Sequence, residues 1–145
     1  MNIVVDSNIV FSGMLNSDGN LAKVLLLSFN KLTFYSSQSL KEEIYSHAEK
    51  LKKIAGYSEF EFFRIFNILT KNINFINPLL IPKDFLFNAY NLTKEVDEDD
   101  TEFIALTDYL GASLWTGDKK LIKGMSKQGW TKFVDTNQLL HHAIL

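Results

Sequence analysis

The run Asn2-Ile3-Val4-Val5 constrains the fold of this chain more than any other segment. Its apolar residues are consecutive, not alternating, and they are β-branched. A strand of this kind is covered on both faces, as inner strands of parallel sheets are. Parallel neighbours need long crossover connections, usually helices. The chain supplies both kinds of element in turn. Leu32–Tyr35, Ile73–Ile76, Ser113–Thr116 and Lys132–Val134 read as further strands. Between them lie a helix over Leu21–Leu27, one from Ser39 through Glu43 toward Lys53 stopped by Gly56, and one behind the capping box Ser58…Glu61. Others run from Pro82 toward Val96, from Asp99 or Asp100 to Gly111, through Leu121 and Ile122, and from Thr136 to Ile144. The pattern predicts an α/β fold with a central, mostly parallel sheet of about five strands flanked by helices.

No linker, repeat or low-complexity tract divides the 145 residues, so one domain over 1–145 is expected. At 46% hydrophobic the chain can build a real core, which excludes global disorder. The absence of cysteine excludes disulfides, thiolate metal sites and a cysteine nucleophile. No apolar run approaches the roughly 20 residues needed to span a bilayer, and the N-terminus does not read as a signal peptide. A cytoplasmic protein with no membrane association is the expectation. The net charge of −2 argues against nucleic-acid binding through a globally basic surface. A nuclease stays compatible with it, because clustered acids lower the total and are offset by a cation.

Four acidic residues stand where such a fold would gather them. Asp6 ends the first apolar run, and Asp118 follows the strand Ser113–Thr116. Function in open parallel sheets collects outside the carboxyl ends of the strands. Asp100 closes the cluster Asp97-Glu98-Asp99-Asp100 at the start of a helix. Glu43 lies early in the helix after the second strand. Converging carboxylates repel one another unless a cation sits between them, and oxygen-only ligands suit Mg²⁺ or Mn²⁺. Such ions held by carboxylates serve the cutting of phosphate esters.

The segments Ile3-Val4-Val5-Asp6-Ser7-Asn8-Ile9-Val10-Phe11-Ser12, Leu40-Lys41-Glu42-Glu43-Ile44, Asp97 through Thr107, and Leu114-Trp115-Thr116-Gly117-Asp118-Lys119-Lys120-Leu121 occur in this order along nearly the whole chain. Together they make the chain resemble the PIN-domain ribonucleases, the toxins of many prokaryotic toxin–antitoxin pairs. The resemblance implies a three-layer PIN-like fold and a metal-dependent endoribonuclease that hydrolyses RNA. It implies Asp6, Glu43, Asp100 and Asp118 as the catalytic quartet binding Mg²⁺ or Mn²⁺, with Asn8 and Thr116 orienting the acids or a water. An antitoxin protein is the partner it implies. The sequence departs from the family pattern in carrying four consecutive acids, among which Asp100 is favoured and Asp97 is an additional metal ligand. It departs again at Thr107-Asp108, where small apolar residues are usual.

Other residues carry weaker signals. Lys119 and Lys120, beside Asp118, are candidates for contacting substrate phosphates. Lys50, Lys52 and Lys53 divide evenly between a second basic patch and a solvated helix face. His47, one turn after Glu43, reads as a surface residue that could approach the site. Phe60, Phe62, Phe63 and Phe66 read first as core and second as a homodimer or antitoxin surface. Trp115 reads as core, and Trp130 has base stacking as its minority reading. The alternative function is a catalytically inactive PIN-like module that binds RNA or protein. A haloacid-dehalogenase-type phosphatase is disfavoured because Asn8 stands where an Asp-x-Asp pair needs its second acid.

Overall fold

In the computed structural model, which describes residues 1–27 and 31–144, the first apolar run is strand β1 (Asn2–Val5) at the middle of the sheet. Ile3, Val4 and Val5 are fully buried, as expected of a strand covered on both faces. Each such side chain taken out of water contributes roughly 1.5–3 kcal/mol. Strands β2 (Thr33–Ser37), β3 (Ile73–Ile76), β4 (Ser113–Trp115) and β5 (Phe133–Val134) complete a five-stranded sheet of order β3-β2-β1-β4-β5. All four pairings are parallel. The chain builds outward from β1 through β2 and β3, then crosses back to place β4 on the other side of β1. That reversal is the topological switch point where α/β sheets form their sites.

The helices are α1 (Ser7–Leu15), α2 (Asn20–Leu27), α3 (Ser39–Ser46), α4 (Ala48–Ala55), α5 (Glu59–Thr70), α6 (Lys83–Thr93), α7 (Thr101–Leu110), α8 (Lys119–Lys127) and α9 (Thr136–Ile144). Helix α7 packs across β1, β2 and β4, with α6 laid against α7. Helix α1 packs with α2, α3, α4 and α5. Trp115 is fully buried, stacked 5.8 Å from Phe34, and its Nε1 donates to Thr136 Oγ1 at 3.0 Å.

Two expectations need adjusting, and one minority reading is set aside. The helix expected from Ser39 toward Lys53 is broken at His47. The Ser46 hydroxyl takes the Glu43 carbonyl at 2.7 Å, and the His47 N–H turns to Ile44 instead. A side chain competing for a backbone acceptor weakens the helical ladder at that point. The helix expected at Asp99 or Asp100 starts as a 3₁₀ turn, Glu98–Asp100, before α7. Trp130 is not a base-stacking residue: it is buried, and its Nε1 donates to Asp108. Asp108 also pairs with Lys132, which accounts for an acid at this unusual position.

Candidate active site

The register of the sheet builds the site's floor. Val5 pairs with Trp115, so the next residues, Asp6 and Thr116, leave the sheet side by side. Thr116 Oγ1 donates to Asp6 Oδ2 at 2.8 Å. Asp6 is the N-cap of α1, and its Oδ1 accepts from the Ser7 N–H at 2.8 Å. Asn8, in the first turn of α1, ties the two strand ends together. Its Nδ2 reaches Asp6 Oδ2 at 3.1 Å and Thr116 Oγ1 at 3.0 Å, while its Oδ1 accepts from the Gly117 N–H at 3.0 Å. Asp6 is only 2% exposed. Burial raises its pKa; the bonds from Thr116 and Ser7 oppose the shift, and the charge of Asp118 adds to it.

Asp118 caps α8, with Oδ1 accepting from the Leu121 N–H at 3.1 Å. Asp100 stands at the N-cap position of α7 but makes no capping bond, so its carboxylate is left to face its neighbours. One carboxylate oxygen each from Asp97, Asp100 and Asp118 lie within 4.8 Å of one another, a separation at which two full charges near a protein surface repel by roughly 3–4 kcal/mol. The Asp100 carboxyl is pushed up to about 8, first by burial and then by the charges of Asp6, Asp97, Asp118 and Glu43.

Glu43 enters from α3 and accepts a hydrogen bond from the Ser7 hydroxyl. Burial raises its pKa, the Ser7 bond opposes the shift, and the charges of Asp6, Asp99 and Glu102 add to it. The four acids named from sequence therefore feel one another's charge. Asp97, Asp100 and Asp118 form the tightest group, while Asp6 and Glu43 are held at its edge by hydrogen bonds. Among the described residues, this triad is the group of acids able to share a cation. An all-carboxylate donor set, with Asp100 pushed up by burial and then by its neighbours' charge, fits a hard divalent cation.

Sequence reading missed two supports. Ser7 orients Glu43, and its only signal is its place directly after Asp6. Glu102, in the first turn of α7, accepts from the Ser39 hydroxyl at 2.8 Å, joining the starts of α3 and α7. His47 is exposed, edge-on to Phe11 at 6.0 Å, and lines two recesses beside Glu43. Lys119 and Lys120 are exposed in the first turn of α8. Phe62 and Phe66 belong to the core, whereas Phe60 is 73% and Phe63 43% exposed. Lys52, partly buried, pairs with Glu49 at 2.7 Å, so its ammonium group is already engaged.

The pattern of the PIN domain family matches residues 4–141. The chain belongs to the PIN domain family. An uncharacterized protein of Methanocaldococcus jannaschii is 32% identical over 123 residues, covering 83% of this chain and 72% of that protein. Among solved structures, VapBC2 of Rickettsia felis, bound to a DNA fragment from its promoter, has a chain that aligns with a TM-score of 0.69 at 16% identity, covering 93% of this chain and 98% of its own. VapBC-1 from nontypeable Haemophilus influenzae aligns with a TM-score of 0.67 at 18% identity, covering 94% and 99%. These likenesses establish the α/β PIN fold. No described helix is long and apolar enough to cross a membrane.

Proposed function

We propose that residues 1–145 act as one domain, a metal-dependent endoribonuclease that hydrolyses RNA phosphodiester bonds as the toxin of a toxin–antitoxin pair. The observation that carries this reading is the convergence of Asp97, Asp100 and Asp118 at the switch point of a PIN fold, with Asp6 and Glu43 at their edge. Asp97, Asp100 and Asp118 would hold Mg²⁺ or Mn²⁺, with Asp6 and Glu43 completing the acidic set. When bound, the ion supplies an activated water at neutral pH and offsets charge on the phosphoryl oxygens.

The protein's own groups do the rest. Thr116 and Asn8 fix the buried Asp6 carboxylate. Ser7 fixes Glu43. Lys119 and Lys120 sit one and two residues beyond Asp118, where their ammonium groups can meet the phosphates flanking the scissile bond. Family membership supports a nuclease. The likeness to the VapBC structures supports an antitoxin partner. The exposed Phe60 and Phe63 offer an apolar surface for an antitoxin or a second copy of the chain. With purified protein, RNA and Mn²⁺, Asp100→Asn and Asp6→Asn should each cut about 100-fold more slowly than the parent or worse, beyond what loss of a supporting partner costs. If both variants cut as fast as the parent while keeping its circular dichroism, the reading fails.

A further inference from the structure

Two recesses lie beside Glu43, and Glu43 and His47 line both. The first, of about 250 Å³, has Ser7, Phe11 and Lys50 in its wall. The second, of about 530 Å³, is walled by the acids Glu42, Glu98, Asp99 and Glu102. A phosphate group is drawn to the first, where Lys50 is an exposed cation, and is repelled by the carboxylates of the second. Glu43 itself belongs to the acid centre, since its carboxyl feels the charges of Asp6 and Asp99. His47 thus stands where a bound phosphodiester and the acid centre meet.

The break in the helix puts it there. His47 closes α3 and opens α4, so its side chain leaves the chain at the joint between them. Phe11 meets its ring edge-on, 6.0 Å between centroids. Neither ring nitrogen of His47 has a hydrogen-bond partner among the described residues. The neutral donors beside the acids are committed, Ser7 to Glu43, Thr116 to Asp6 and Ser39 to Glu102. Breaking a phosphodiester releases an alkoxide unless the departing oxygen takes up a proton. Carboxylates holding a cation have no proton to give. Ammonium groups hold theirs too firmly near neutral pH, whereas imidazole exchanges its proton there.

We propose that His47 is a catalytic residue, the general acid that protonates the departing ribose oxygen. A water oxygen forms the new bond to phosphorus and releases a proton to solvent. The bond between phosphorus and the ribose oxygen breaks, and its electron pair stays on that oxygen, which takes the proton of the His47 imidazolium. Solvent returns a proton to the neutral imidazole. This role rests on the nuclease reading above.

The test uses an oligoribonucleotide whose cleaved bond is mapped with the parent protein and Mn²⁺, and a second strand carrying sulfur in place of the departing oxygen. A thiolate leaves without first being protonated, so the sulfur strand needs no general acid. His47→Ala should cut the oxygen strand about 100-fold more slowly than the parent, as loss of a general acid does, and the sulfur strand at the parent's rate. His47→Gln keeps a hydrogen-bond donor without a transferable proton and should be as slow as His47→Ala. Binding of Mn²⁺ by both variants should equal that of the parent. Equal cutting of the oxygen strand by parent and His47→Ala, equal slowing of both strands, recovery in His47→Gln, or weakened Mn²⁺ binding would each overturn the proposal and leave the nuclease standing. No cleavage of either strand by the parent would overturn both.

Discussion

At the scale of single residues, the site is a balance between repulsion among carboxylates and the groups that hold them in place. Asn8 shows the holding side. One carboxamide serves Asp6, Thr116 and the Gly117 N–H, so its loss leaves the buried Asp6 short of a donor. We expect Asn8→Ala to destabilise the protein by about 1–3 kcal/mol, as unsatisfied buried groups do, read as a lower urea midpoint. An unchanged midpoint would show that water replaces the amide without cost. Burial and repulsion together give a pH dependence. Asp6, Glu43 and Asp100 are all held above their ordinary values, Asp100 from 3.8 up to about 8. The folded, metal-free protein therefore keeps protons that the unfolded chain has released. Its stability should fall as pH rises from near 4 toward 8 and level off above. Thermal scans in EDTA at pH 5 and pH 8 should show the lower midpoint at pH 8, and Mn²⁺ should restore more stability there than at pH 5. Equal midpoints in EDTA would mean that neither burial nor neighbouring charge holds these carboxyls above their ordinary values.

At the scale of elements, caps and helix starts place the chemistry. Asp6, Asp100 and Asp118 all occupy N-cap positions, and the first and last spend an oxygen on a backbone N–H while Asp100 does not. The apolar run before Asp6, the four-acid cluster before α7 and the run before Asp118 were legible because strand ends and caps leave local signals. Glu43 was legible from its place in the helix after the second strand, but only weakly, since an acid early in an amphipathic helix is ordinary. Its partner Ser7 lies 36 residues away, a contact that no local pattern encodes. The role of Trp130 was hidden for the same reason, because Asp108, which accepts its indole N–H, is 22 residues distant. The capping box of α5 is an element-level feature remote from the site, with Ser58 accepting from the Glu61 N–H at 3.1 Å and Glu61 from the Ser58 N–H at 3.0 Å. Ser58→Ala should cost ~0.5–2 kcal/mol of stability and leave RNA cleavage unchanged. In the first turn of α8, Lys119→Ala with Lys120→Ala should raise KM for RNA and flatten its salt dependence with little effect on melting. An unchanged salt dependence would place the phosphate contacts elsewhere.

At the scale of the whole molecule, the sheet order explains why segments so far apart in sequence meet. Reversal of the chain at β1 puts β4 beside it, so Asp6 and Asp118 emerge at one edge, and α7 packed over β1, β2 and β4 brings the Asp97–Asp100 cluster to the same edge. The fold class follows from the alternation of apolar runs and amphipathic helices. The strand order, which creates the site, rests on long-range packing that composition does not reveal. The most direct measurement of the central claim is a Mn²⁺ titration followed by the electron paramagnetic resonance of the free ion. The parent protein should remove free Mn²⁺ from solution, and Asp100→Asn, folded as the parent is, should leave nearly all of it free. Undiminished Mn²⁺ binding by the folded Asp100→Asn variant, or none by the parent, would contradict a cation site built on these carboxylates.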